Sequence, residues 1–378
     1  MIGSFPMIRA RLYAAGLGLA AAMLAASVLG AAALEVSVAA DGRPLQAAID
    51  NAAPGATLRL APGVHLGPVT ITRPLTLLGG DGVVVAGNAK GSVITVNAPD
   101  TTLLGLEITG SGLSLETQDS GVFLGKQALR ARVSGNTLND NLIGVYIWGA
   151  ADARVTGNTI VGRRDLRVNE RGNGVQVWNA PGAAVIGNRV SFGRDGIFVT
   201  TSRNNIFRDN RFSDLRIAVH YMYTNDSVVE GNLSTRNTIG FAIMFSTGIK
   251  VRANRSVGDR DRGVFFNFAN KVEVVGNRVT GGAANCLFIY NSNKNIVRDN
   301  YMAGCDIGIQ FTAGSQDNAI SGNAFVGNRT QVKYVGTRWL EWSQAGRGNY
   351  WSDNPAFDLN GDGIADTPFR PNDLTDQI

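Results

Sequence analysis

An all-β, right-handed parallel β-helix is the fold this sequence predicts, and three observations predict it. Asparagine recurs at Asn136, Asn158, Asn188, Asn210, Asn232, Asn254, Asn277, Asn300 and Asn323, with gaps of 22, 30, 22, 22, 22, 23, 23 and 23 residues. Three positions before each anchor stands an apolar residue: Val133, Val155, Val185, Phe207, Val229, Val251, Val274, Val297 and Ile320. The runs after the anchors alternate with period two, which puts successive side chains on opposite faces of short strands. Self-similarity at this period marks a solenoid of about 22–23 residues per coil, and it overrides the two or three domains that the length of 378 residues would otherwise suggest. One residue type repeated at one offset means side-chain amides stacked along the axis. The usual hand of parallel crossovers makes the coil right-handed.

In chain order, residues 1–33 read as a secretory signal. Arg9 and Arg11 form its positive region, an Ala- and Leu-rich run follows, and Ala31, Ala32 and Ala33 supply a small-residue cleavage site. The location expected is therefore the periplasm. Losing the two arginines lowers the formal charge from +5 to +3, too mild a balance to imply a nucleic-acid partner. Residues 34–340 are expected to form the β-helix domain. Its N-terminal cap is a short amphipathic helix in Arg43 to Ala53, with Leu45, Ala48 and Ile49 on one face and Pro54-Gly55 ending it; terminal caps keep the open apolar end of a solenoid from stacking on another. The eight extra residues of the long gap fall in or near Arg163 to Arg171, a basic protruding loop. Cys286 and Cys305 lie in neighbouring coils, and their spacing permits a disulfide without settling it.

Further inward files follow from the alternation: Val145, Val175, Ile197, Val219, Phe241, Val264, Leu287 and Ile309, then Ile147, Val177, Val199, Tyr221, Ile243, Phe266, Ile289 and Phe311. The residues between them must face outward. They include Tyr146, Trp148, Trp178, Phe198, Phe265 and Phe288, an aromatic stripe that reads as a docking surface. The same outward files hold His220, Met222 and Met244. Met222 and Met244 share one offset in consecutive coils, which sets their backbones about 4.8 Å apart, and His220 lies on the same face. Thioether and imidazole are soft donors that favour Cu(I). His220, Met222 and Met244 are therefore the candidate cuprous ligands, with the alternative that the methionines only extend the apolar stripe. His65 falls in an early irregular coil and reads as incidental.

Residues 341–378 are expected to form a C-terminal cap. Within it, Asp358, Asn360, Asp362, the Ile364 carbonyl and Asp366 match the spacing of an EF-hand-like Ca2+ loop, although Phe369 stands where the usual bidentate Glu would be.

The segment HYMYTND at His220 to Asp226, the repeated Gly-Asn anchors and GNYWSDNPAFDLNGDGIADTPF at Gly348 to Phe369 resemble the NosD family. That resemblance covers nearly the whole chain after the signal. It implies a β-helix that works with a membrane permease and its ATPase, as an ABC-type transporter, and receives copper from a lipoprotein chaperone for maturation of nitrous oxide reductase. It also implies relatives that continue past the terminal signature, whereas this sequence stops at Ile378. It supplies no ligand assignment, so the three copper candidates rest on the files alone. The competing expectation is a carbohydrate-active β-helix, a polysaccharide lyase, hydrolase or epimerase, whose chemistry needs clustered carboxylates or a basic residue with Ca2+. The outward files named above contain no Asp or Glu, and Asp195, Asp214, Asp259 and Asp306 are expected in separate turns. The expectation is a binding protein, not an enzyme.

Overall fold

The structure, a computed structural model, describes residues 34–312, 314–335, 340–369 and 371; the expected signal segment lies outside them. The described chain winds through about 14 turns of parallel β-solenoid. Each regular coil contributes one strand to each of three sheets, of 13, 12 and 13 strands. In the coil that holds Asn232 these are Val228–Glu230 in sheet A, Leu233–Thr235 in sheet B and Ile239–Met244 in sheet C. The expected helix forms over Leu45–Asn51 and buries Leu45 and Ile49.

The predicted inward files are in the core. Every member from Val133 to Ile320 in sheet A is fully buried, and so are both files of sheet C from Val145 to Phe311. Their strands pair in the predicted register, Phe207 with Val229 and Tyr221 with Ile243. At each sheet A to sheet B bend the anchor asparagine closes the ladder. The Asn232 Nδ2 donates to the Phe207 carbonyl at 2.9 Å and to the Asn254 Oδ1 at 2.9 Å, while its own Oδ1 accepts from the main-chain N–H and Nδ2 of Asn210. The ladder also runs one rung further than the period indicates. Asn349, 26 residues after Asn323, accepts from the Asn323 main chain and side chain at 3.0 and 2.9 Å. Beside it Tyr350–Trp351 adds a last strand to sheet B, and Trp351 stacks on Phe325 at 4.5 Å, so the coiling continues past the expected boundary at residue 340.

Sheet B supplies an inward file that the alternation did not reveal: Leu138, Ile160, Val190, Phe212, Ser234, Ser256, Val279, Met302 and Phe325, all buried. Its strands hold only three residues, so one side chain per coil faces in, and two serines interrupt the apolar pattern. Those serines have a partner. The Ser234 and Ser256 hydroxyls each donate to Asp259 Oδ2 at 2.6 Å, and the Asn237 N–H donates to Oδ1 at 2.8 Å. Burial pushes the Asp259 carboxyl above the usual range, more than these donors pull it down. A raised acid stabilises the fold at low pH and loses that contribution as pH rises through its folded value. Asp259→Asn, which supplies the amide found at Asn237 and Asn328 in the same file, is therefore expected to raise stability at neutral pH and to give no gain in acid, as read from urea unfolding at both.

The structure settles the cysteines. Cys286 and Cys305 are joined, with Cα atoms 5.7 Å apart. Cys286 occupies the tight entry to sheet C, where other coils place Gly144, Gly174, Gly196, Ala218, Gly240, Gly263 and Gly308; at Gly144 a Cβ would meet the Gly174 carbonyl at 2.5 Å. Loss of the bridge, which closes a separation of 19 residues, is expected to cost about 3 kcal/mol. Thermal unfolding of Cys286→Ala/Cys305→Ala tests this.

Candidate metal centre

The site is built on three neighbouring strands of sheet C, Asp195–Thr200, Ile217–Met222 and Ile239–Met244. Inward residues Tyr221 and Ile243 are fully buried, which fixes Met222 and Met244 on the outer face, where both are half-buried. They are direct register partners, as the offset required. His220 also leaves the sheet outward, but it is not in solvent as the register argument placed it. Only 8% of it is exposed, between Phe198 at a ring distance of 5.0 Å and the buried Ala242.

What holds the imidazole is Asp195, one coil earlier. Its Oδ2 accepts from His220 Nδ1 at 2.9 Å. The Arg216 guanidinium grips the same carboxylate with both ends, Nε to Oδ1 at 2.8 Å and a terminal nitrogen to Oδ2 at 2.6 Å. Burial pushes the Asp195 carboxyl up, but hydrogen bonds from His220 and Arg216 and the Arg216 charge outweigh it, so its pKa lies below the usual value. A carboxylate at Nδ1 makes that nitrogen the donor, leaving Nε2 of the neutral ring with a free lone pair. Nε2 is buried and has no hydrogen-bond partner among the described residues. An unpaired buried polar atom costs about 1–3 kcal/mol, and carboxylate–imidazole–metal is the arrangement by which proteins orient a ligating histidine. An imidazole nitrogen and two thioethers are donors of the soft class. Asp195 is the residue that sequence reasoning misplaced: it opens a strand of sheet C and is 1% exposed, where a separate turn was expected.

The aromatic stripe divides. Tyr146 is buried, which overturns its reading as docking surface. It joins Leu142 and Ile143 in a small outer core, against which Phe123, Trp148, Trp178 and Leu166 pack. Leu166 belongs to the basic insertion, so that loop covers this end of the face. Trp148 and Trp178 stack at 5.6 Å with Lys126 over Trp148. Phe198, Phe265 and Phe288 are half-buried, the last two stacked at 5.4 Å beneath the Arg262 guanidinium. The more exposed rings lie one position beyond the predicted files. Tyr223, Phe245 and Phe268 stack at 5.0 and 5.2 Å beside the two methionines, each with φ near +50° (49, 48 and 51). Left-handed backbone costs a bulky residue about 1–2 kcal/mol, which stacking partly offsets.

The C-terminal loop is folded on itself. Asp358 accepts from the N–H groups of Gly361, Asp362 and Gly363, the Asn360 and Asp362 side chains accept from Asp362 and Ile364 N–H, and Asp366 Oδ2 accepts from Leu359 N–H. Its carboxylates thus serve as turn acceptors. Among the described residues no three His, Cys, Asp or Glu side chains gather as a metal cage. His65, expected to be incidental, is buried and bonds the Ala61 carbonyl at 2.8 Å.

The architecture has known counterparts. The chain superposes with a TM-score of 0.60 on a family 28 exopolygalacturonase of Yersinia enterocolitica, at 11% identity over 80% of this chain and 77% of that one. A polygalacturonase from Erwinia carotovora gives 0.51 at 14% identity over 80% and 96%. At such identities these show the fold alone. Sequence relatives are nearer. A probable ABC transporter binding protein NosD of Stutzerimonas stutzeri is 39% identical over 334 residues, 85% of this chain and 77% of its own. Its namesake in Pseudomonas aeruginosa is 39% identical over 351 residues, 89% and 81%. A family model described as periplasmic copper-binding protein (NosD) matches residues 157–356, the coils that hold Asp195, His220, Met222 and Met244. By these matches the chain belongs to the NosD family.

Proposed function

We propose that this chain is a periplasmic copper-handling protein that takes Cu(I) on the outer face of sheet C and passes it on for maturation of nitrous oxide reductase, docked to an ABC-type permease and its ATPase. The observation that carries the reading is His220 Nε2, buried without a hydrogen-bond partner among the described residues, on the same strand as Met222, which pairs in register with Met244. Copper is here the cargo. His220 supplies the nitrogen donor, Met222 and Met244 the thioethers, and Asp195 holds the ring so that the donor lone pair is the one left free. Because Nε2 is shielded, loading needs a small outward movement of the Phe198–His220 pair, which suits handover from a docked copper chaperone lipoprotein better than capture from solution. Half-buried Phe265 and Phe288 and the exposed Tyr223, Phe245 and Phe268 border the site as apolar docking surface.

Catalysis is no part of this reading. Hydrolysis or inversion of a glycosidic bond uses two carboxyl groups about 5–9.5 Å apart, and the Asp195 carboxylate bonded to His220 is already committed to Arg216 and the imidazole. Polygalacturonate and alginate are expected to pass through an incubation with this protein uncleaved and unepimerised.

The test is a Cu(I) titration against a chromophoric chelator, with and without the copper-charged chaperone. Weak binding alone, tighter binding in the presence of the chaperone, and loss of both in the His220→Ala/Met222→Ala/Met244→Ala variant are expected. Undiminished transfer in a folded triple variant sinks the site and leaves the methionines as part of the apolar stripe.

A further inference from the structure

The outer face of sheet B carries a file of arginines that no acidic group among the described residues neutralises. Arg189 and Arg211 are direct register partners, Leu233 follows in the next coil, and Arg255 and Arg278 are partners again. All four are exposed. None has an acidic group within 4.0 Å among the described residues, and only Arg278 finds a neighbour, the Tyr301 ring at 4.0 Å. From Thr159 to Val326 the strands of this sheet contain no Asp or Glu.

Elsewhere the solenoid treats its arginines differently. Arg130 meets Asp100 at 2.7 Å, Arg208 meets Glu230 at 2.8 Å, Arg236 meets Asp214 at 2.8 Å and Arg252 meets Glu273, each acid one coil away. Like charges directly opposite across a strand pair are unfavourable, so a file that stacks them twice gains nothing from the fold. Its other outward residues include Ser191, Ser213, Thr235 and Thr280, which give hydroxyl donors, beside Val257; Leu233 and Tyr301, the apolar side chains in the arginine file itself, are both half-buried and three coils apart, so they form no contiguous anchor of the kind a protein interface is centred on. Guanidinium groups at about 4.8 Å intervals along a straight sheet offer paired N–H donors to phosphate oxygens.

From this we infer that the sheet B face docks on anionic phospholipid headgroups, laying the solenoid against the membrane that carries its transporter. The choice of lipid over a soluble polyanion rests on the transporter reading given above; the unneutralised file does not.

The test is flotation of the chain, recovered from the periplasmic fraction, with phosphatidylglycerol–phosphatidylcholine vesicles and with phosphatidylcholine alone. Each arginine near an anionic surface contributes about a fivefold factor, so Arg189→Gln/Arg211→Gln/Arg255→Gln/Arg278→Gln is expected to lose roughly a hundredfold or more in partitioning. The wild type should release as salt rises. A control variant with Arg130, Arg208, Arg236 and Arg252 changed to Gln has the same net charge and should keep most of its binding. Equal losses in the two variants, no wild-type binding to anionic vesicles, or binding to alginate in solution without binding to vesicles would each overturn the inference. Cu(I) titration of the sheet B variant is expected to match wild type, so failure here and failure of the copper site are separately visible.

Discussion

Asp195→Asn is expected to weaken Cu(I) binding by about 10- to 100-fold, the usual effect of removing the group that orients a ligating histidine. A carboxylate offers acceptors to both ends of the Arg216 guanidinium and to His220 Nδ1. An amide has one acceptor and one donor, so one of those contacts becomes donor against donor. Either the imidazole turns, or the other tautomer forms and the Nε2 lone pair is lost. His220→Ala removes the donor outright and should fall at least as far, whereas Met222→Ala and Met244→Ala each leave two ligands and should fall less. The readouts are chelator competition at neutral pH and the histidine ring signals in the NMR spectrum, which a merely destabilising change would not move.

The same carboxylate ties stability to acid. Its pKa is lowered in the fold, so its contribution is fully present above the unfolded carboxyl value and disappears as pH falls through the lower folded one. Wild type and Asp195→Asn should therefore differ in unfolding free energy at neutral pH and converge in strong acid. A difference that persists undiminished at the lowest pH would locate the effect in packing instead.

Asn232→Ala is expected to cost about 3–5 kcal/mol, more than any other single change considered. Four buried partners lose a bond: the Asn210 N–H and the Phe207 carbonyl, together with the Asn210 Nδ2, which keeps the Val185 carbonyl, and Asn254 Oδ1, which keeps the main-chain N–H of residue 232. Each unsatisfied buried group costs about 1–3 kcal/mol, and relaxation of the coil or an admitted water recovers part of it. Equilibrium denaturation measures this. A cost near that of a surface substitution would mean the ladder is decoration on a fold held by its apolar files. Arg211→Gln, one residue past a rung but facing out, serves as the comparison and should change stability little.

The sequence by itself determined the coil. In a solenoid the axial neighbour of any residue is one period away, so a count of 22 or 23 residues is also a statement of contact. For that reason the asparagine ladder, three of the inward files and the pairing of Met222 with Met244 could all be read by counting. Counting failed where the period failed. Asn349 sits 26 residues on and passed unseen, and the three-residue strands of sheet B are too short to show alternation once serine replaces the apolar residue. Tertiary structure alone decided what happens above the sheet, because the period fixes where a Cα lies but not how far a long side chain reaches. Asp195 and His220 are 25 residues apart, off register by three, and meet only because Arg216 and burial hold the carboxylate toward the ring. Tyr146 is covered because Leu166 folds back from the one insertion. Cys286 meets Cys305 because the bend at that coil brings together two offsets that the repeat keeps apart.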